Sequence, residues 1–205
     1  MIDEWRQARE MLLGKVKALV GDRRVLEAIE AVPREAFVPA QMRDMAWSNR
    51  PLPIGENQTI SQPLVVARMC ELLELRPEDR VLDVGTGSGY HAAVLARLAG
   101  HVFSVERHRS LSAQAARNLD AAGIENVTLL VGDGSKGYPE EAPYAAINVA
   151  AAASGGVPAA LEQQLAPGGR LVAPVGDAKQ RLMVACRTDG VEHSELEPVQ
   201  FVPLV

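Results

Sequence analysis

Apolar positions change period twice along the chain. Over the first thirty residues Trp5, Leu12, Val16 and Leu19 fall near one face at helical spacing, and a second pattern of Val25, Leu26 and Ile29 stops before Pro33. The spacing predicts a helical preface. Residues 32–61 carry prolines at 33, 39, 51 and 53 among polar turn residues, so regular structure should be sparse there. A loop that long inside a compact domain usually has a function. Pro63 suits the first turn of a helix, and residues 65–75 keep helical spacing until Arg76-Pro77-Glu78-Asp79 interrupts it.

From there short, nearly all-apolar runs at 80–85, 101–106, 126–133, 144–150 and 169–176 alternate with Ala- and Leu-rich helical stretches at 90–99, 109–122 and 158–166. That alternation predicts an α/β fold with a mostly parallel, doubly wound sheet covered on both faces. Two further strand-like runs, 179–188 and 198–205, have no helical pattern between them, which predicts an antiparallel edge. With 205 residues, 47% of them hydrophobic, the chain can bury one substantial core and is too short for two independent ones. A single domain over 1–205 is expected, with N-terminal helices and a substrate loop in 1–62 and a cofactor-binding α/β core in 63–205.

Charge and cysteine usage narrow the function classes. A net charge of -5, without a block of Lys or Arg, offers no electrostatic footprint for a polyanion, so nucleic acid is not an expected partner. The charged, amphipathic start gives no expectation of a secretory signal, and no stretch approaches the ~18 to 20 apolar residues of a membrane span. Cys70 and Cys186 are far apart and form no C-x-x-C pattern, so neither a disulfide framework nor a zinc site is expected. Each is read as a small buried hydrophobe, and the chain as cytoplasmic. The sequence does not give the oligomeric state; a monomer is the working expectation.

The candidate chemistry starts at VLDVGTGSGY (81–90), which puts Gly85, Thr86, Gly87 and Gly89 between a predicted strand and the next helix. Glycines there permit a tight turn and close approach of a ligand to the backbone. Nicotinamide dinucleotide enzymes place G-x-G-x-x-G at the same point. Here the third glycine comes one residue early, and Tyr90 occupies the place where a pyrophosphate would meet the helix start. The pattern resembles motif I of the Rossmann-like methyltransferases, which implies S-adenosylmethionine as cofactor. Glu106 closes the second core strand, where a carboxylate can accept from both ribose hydroxyls. Asp133 and Gly134 end the third, where such methyltransferases hold the adenine amino group. Asp83, inside the first strand, is read as meeting the glycine turn or the cofactor's methionine end, with a purely structural hydrogen bond as the alternative.

Several further segments resemble the protein-L-isoaspartate O-methyltransferase family in order along nearly the whole chain: residues 31–39 (AVPREAFVP), 52–63 (LPIGENQTISQP), 104–107 (SVER), 132–134 (GDG), 167–176 (PGGRLVAPVG) and 201–204 (FVPL). GENQTIS is the specific one, because other methyltransferases share motif I but lack it. The resemblance implies methylation of the free α-carboxylate of isoaspartyl residues in damaged peptides and proteins, the ester then closing to a succinimide without catalysis. By position, Ser61 would be the active-site serine with Thr59 and Ile60 beside it, and Phe201, Val202 and Pro203 would help to hold the peptide. The chemistry is self-consistent: an α-carboxyl with a pKa of roughly 3.3 to 3.7 is already an anionic nucleophile at neutral pH, so no general base is required. His91, His101, His108 and His193 form no ligand cluster by spacing and are read as surface or helix-start residues.

Three features depart from the family pattern. Ala145 stands where the family has an aspartate before its fourth strand, Ala150 replaces a threonine at that strand's end, and the connection at 154–158 (SGGVP) is one residue longer than the family's usual connection. They keep open a rival reading, a carboxylate methyltransferase acting on normal aspartates of a dedicated peptide to form an imide. A binding module that retains the cofactor without turnover and a nicotinamide oxidoreductase are the remaining rivals.

Overall fold

The computed structural model describes residues 4–204; Met1 to Asp3 of the predicted preface and Val205 of the run 198–205 lie outside the described residues. The preface forms α1 (Glu4–Leu19) and α2 (Arg23–Ala31), the second opened by Asp22, whose side chain accepts from the Arg24 amide at 2.9 Å. Leu12 and Val16 are buried as predicted, but Leu19 is 44% exposed and Val20 takes its place. Both lie on the apolar stripe, at i+3 and i+4 from Val16, and packing selects between them.

Residues 32–61 hold more structure than their prolines suggest. Two short 3-10 turns at 34–37 and 40–45 precede a hairpin of β1 (Leu52–Gly55) and β2 (Gln58–Ile60). Its turn places Glu56 and Asn57 at φ 49° and 55°. Two successive left-handed residues match the twist of a two-residue hairpin, a conformation that Asn adopts readily and Glu does not advertise.

The core follows as α3 (Pro63–Leu72), β3 (Arg80–Val84), α4 (Tyr90–Ala96), β4 (His101–Glu106), α5 (Arg109–Ala121), β5 (Val127–Val131), β6 (Tyr144–Val149), α6 (Ala159–Gln163), β7 (Leu165–Val175), β8 (Gln180–Arg187) and β9 (Val191–Val199). Seven strands form one sheet in the order β5-β4-β3-β6-β7-β8-β9. The first five in that order are parallel, and β8 and β9 add the antiparallel edge. One apolar cluster joins α1 to α4 to one face of the sheet, and a second, around Leu82, Tyr144, Leu161 and Leu171, covers the other.

The last strand differs from the prediction. β9 is the polar segment VEHSELEPV rather than 198–205, and most of it is exposed. An edge strand has one neighbour and little to cover, so it carries no apolar signature. The residues after Val199 instead leave the sheet and cross its carboxyl end. There the Ala152 amide donates to the Val202 carbonyl at 2.8 Å and the Leu204 amide to the Ala152 carbonyl at 2.7 Å.

Strand order reverses between β3 and β6, so the loops following these two strands diverge and leave a crevice. The glycine-rich turn follows β3, and Ala150 to Ala153 follow β6. No helix among the described residues is long and apolar enough to cross a membrane.

Candidate active site

The crevice is built on backbone that only glycine adopts easily. Gly85 and Gly87 have φ of 93° and 54°, and the Gly85 amide is anchored to the Val105 carbonyl at 2.9 Å. Glu106, 5% exposed at the carboxyl end of β4, accepts from the Gly87 amide through Oε2 and from the His108 amide through Oε1, each at 2.9 Å. Each oxygen keeps a lone pair, so two acceptor sites remain for a diol. A methyl group at Gly134 would lie 2.5 Å from Val84 Cγ1, so any larger residue there would displace the cleft wall.

The sequence candidates separate into groups. Gly85, Gly87, Glu106 and Gly134 line one cleft together with Thr59, Val202 and Pro203. Ser61 and Phe201 line an adjoining groove of about 300 Å³. Thr59, Ala150 and Val202 belong to both and form their shared wall. Ile60, Ser61, Thr86 and Ala150 border a small cavity of about 30 Å³ beside the glycine turn. Gly89, at φ 87°, does not reach the cleft; the space at its Cα is filled by Ala115 and Leu119 of α5. Asp133 is not on the cleft wall either. Its exposed carboxylate accepts from the Ser135 hydroxyl and amide and pairs with Lys136, contacts that hold its pKa below the usual value.

Asp83 lies beneath the turn, at the centre of a buried polar row. Ser104 and Asn148 are its register partners on β4 and β6, and both donate to its carboxylate at 2.7 Å. The Thr86 hydroxyl donates to Ser104 Oγ at 2.6 Å, since the Ser104 proton is committed to Asp83. Burial raises the Asp83 pKa to about 6, against the lowering effect of these two donors. Asn148 Nδ2 also reaches His91 Nδ1 at 3.2 Å, which leaves His91 Nε2–H facing the Cys70 sulfur at 3.5 Å. His91 does begin a helix, as read from sequence, but it is buried rather than exposed, and burial lowers its pKa to about 3. Cys70 is a buried, free thiol, and Cys186 is half-buried. The available sequence signal for the row was a single polar residue inside each apolar strand, HVFSVE and YAAINV, opposite Asp83.

The hairpin brings in the second half of the site. β2 carries Thr59 and Ile60 to the crevice, and the Ser61 carbonyl accepts from Arg34 Nη2 at 2.7 Å. The far wall is set by Gln180, whose side-chain amide donates to the Phe201 carbonyl at 3.1 Å and accepts from the Phe201 amide at 2.6 Å. Ala150 follows β6 directly at its carboxyl end, while Ala145 is the second residue of that strand, at the opposite end. Tyr90, at the start of α4, is 1% exposed and packs edge-on against Phe37, so protein fills the helix start. Among the described residues no group of three or more His, Cys, Asp or Glu is arranged to hold a metal.

Comparison with known proteins supplies the remaining step. The family model for protein-L-isoaspartate(D-aspartate) O-methyltransferase matches residues 7–205. A protein-L-isoaspartate O-methyltransferase of Methanoculleus marisnigri is 51% identical over 98% of this chain and 92% of its own length. One of Methanothrix thermoacetophila is 49% identical over 96% and 94%. A solved protein-L-isoaspartate O-methyltransferase superposes with a TM-score of 0.85 at 30% identity; the match covers 95% of this chain and 65% of that longer one. A chain from Plasmodium falciparum, described as a beta-aspartate methyltransferase in complex with S-adenosyl-L-homocysteine, gives 0.83 at 25% identity over 96% and 98%. Since the family model and the superposition both extend over nearly the whole length, the chain belongs to the protein-L-isoaspartate(D-aspartate) O-methyltransferase family.

Proposed function

We propose that this chain transfers the methyl group of S-adenosylmethionine to the free α-carboxylate of isoaspartyl residues in damaged peptides and proteins, starting their repair through a succinimide. The observation that carries the reading is the wall shared by cleft and groove at Thr59, Ala150 and Val202, through which a donor on one side meets an acceptor on the other. The cleft suits the cofactor: a carboxylate with two free acceptor sites answers a ribose diol, and a turn of positive-φ glycines admits a ligand against the backbone. When bound, S-adenosylmethionine supplies an electrophilic methyl on a sulfonium.

The residues of the chain then have distinct tasks. Gly85, Gly87, Glu106 and Gly134 hold the nucleoside portion, with Thr86 and Asp83 supporting the turn from below. Gly89 keeps α5 close to the turn, and the exposed Asp133 carboxylate, whose bonds to Ser135 use one oxygen, keeps acceptor sites for the adenine amino group. Ser61, with Thr59 and Ile60, orients the acceptor carboxylate by hydrogen bonding, while Phe201, Val202 and Pro203 close the peptide side. The acceptor is ionised at neutral pH, so these groups align it and exclude water rather than remove a proton. We also propose that residues 1–62 and 63–205 act as one catalytic unit, because both contribute to the shared wall.

Methyl transfer from labelled cofactor to a synthetic isoaspartyl peptide and to its aspartyl twin tests the reading. The isoaspartyl peptide is expected to be labelled and to release methanol as it closes to succinimide, with the twin inert. Labelling of the twin alone would favour imide formation at normal aspartates, a reading that the small Ala150 on the shared wall keeps open. Cofactor binding without labelling of either peptide would leave a binding module.

A further inference from the structure

The groove beside Ser61 must accept an anion, yet no charged side chain among the described residues lines it. The net charge of the chain, -5, is also the wrong sign to attract one. The nearest buried cation is Arg34, in the 3-10 turn of residues 34–37 and fully buried. Its guanidinium lies over the Tyr90 ring at 4.7 Å. Nε donates to the Ala46 carbonyl and Nη2 to the Ser61 carbonyl, both at 2.7 Å, while Nη1 makes no well-formed hydrogen bond and the buried Tyr90 hydroxyl, also unpaired, lies near the guanidinium. No carboxylate among the described residues pairs with it; the adjacent Glu35 instead accepts from Trp47 Nε1 at 2.9 Å. Burial lowers its pKa to about 10, so it stays protonated at neutral pH.

A buried charge without a counterion is costly and is rarely kept without a partner. Here the missing partner is of the sign and type that the groove is to receive. The geometry points to Arg34 as the positioning residue for the methyl acceptor: its uncompensated charge holds the substrate carboxylate at Ser61, and its grip on the Ser61 carbonyl fixes the serine against that carboxylate. Donation to the carbonyl also polarises the Ser61–Gln62 peptide, and Gln62 lines the same groove. The inference rests on the carboxylate methyltransferase reading above, which turnover of the wild type checks separately.

The test compares binding of an isoaspartyl peptide with that of the same peptide carrying a neutral α-carboxamide, both in the presence of S-adenosylhomocysteine. That nucleoside lacks the sulfonium charge, so the preference for the acid reports the charge of the protein. The wild type is expected to prefer the acid by about tenfold or more, the range of a hydrogen-bonded charge. Arg34→Gln should reduce the preference to below about threefold, whereas Arg34→Lys, which keeps the charge but not the fork, should hold the preference and lose kcat. Thermal stabilisation by S-adenosylhomocysteine confirms that each variant is folded, since Arg34 is outside the cofactor cleft. A merely structural arginine would weaken both peptides equally and leave their ratio unchanged, which overturns the proposal. So does a wild type that binds the two alike, or a folded Arg34→Lys that loses the preference, and these two results decide the matter even if Arg34→Gln does not fold. A wild type that methylates neither isoaspartyl nor aspartyl peptide removes the underlying reading as well.

Discussion

Asp83 and His91 share the Asn148 amide, and burial moves their ionisations in opposite directions. His91 drops from 6.5 to about 3, so its contribution to stability is complete above pH 6.5 and is lost as the pH falls toward 3. Asp83 rises from 3.8 to about 6, so its contribution is complete below 3.8 and is lost as the pH rises through 6. Between roughly pH 4 and 6 the two effects oppose each other. His91→Gln removes the first, and the variant should lose less stability than the wild type between pH 7 and 5, by about 2 kcal/mol at pH 5. Melting curves across that range check it; parallel profiles would mean that His91 takes up its proton without unfolding cost. A second prediction concerns the two family departures. Ala145→Asp, at the amino end of β6, should leave kcat/KM for isoaspartyl peptide within about threefold, or roughly 0.7 kcal/mol of barrier. Ala150→Thr puts a hydroxyl and a methyl into the shared wall and should change KM or the isoaspartyl to aspartyl preference more strongly. Kinetics of both variants on matched peptides decide it, and the reverse ranking would contradict the role given to the wall.

Among the elements, the β1–β2 hairpin does the most for the site and was the least visible. Its Glu-Asn turn lacks the Asn-Gly signal, and its strands are only four and three residues long. The core strands were legible because a parallel strand buried on both faces must be apolar throughout, and β9 was not, because an edge strand escapes that demand. At its tip the hairpin is tied to α5, with Glu56 Oε1 accepting from the Ser110 hydroxyl at 2.6 Å. An exposed contact of this kind contributes about 1 kcal/mol or less, so Glu56→Ala should hardly change the melting temperature of the free protein. Loosening the tip should nevertheless free Gln58 and Thr59 at the cleft and raise the Kd for S-adenosylhomocysteine by roughly two- to fivefold, an effect of under about 1 kcal/mol. Calorimetric titration measures this. An unchanged Kd would show that β2 is held by its base alone.

Over the whole molecule, the site joins segments distant in the chain, and cofactor binding should therefore register as global stability. At a hundredfold excess over Kd, S-adenosylhomocysteine should add about 2.7 kcal/mol, a rise of roughly 5 to 10 °C for a chain of this size, while NADH adds nothing. Gln180→Ala removes both bonds to the Phe201 backbone and frees the returning tail, which should shrink that rise and raise KM for peptide together. A full thermal shift in this variant would show that the tail is held by its bonds to Ala152 instead. The sequence by itself determined the alternation of strands and helices, the glycine turn and Glu106, because each depends on local backbone freedom or on the spacing from one strand end to the next. It could name Ser61 and Phe201 only by resemblance. Tertiary structure alone decided that they line one groove, that Asp133 caps its own turn, and that Arg34 is buried without a counterion among the described residues. Those outcomes depend on where the strand order reverses and on which distant side chains reach a carbonyl first, and neither is encoded in the spacing of neighbours along the chain.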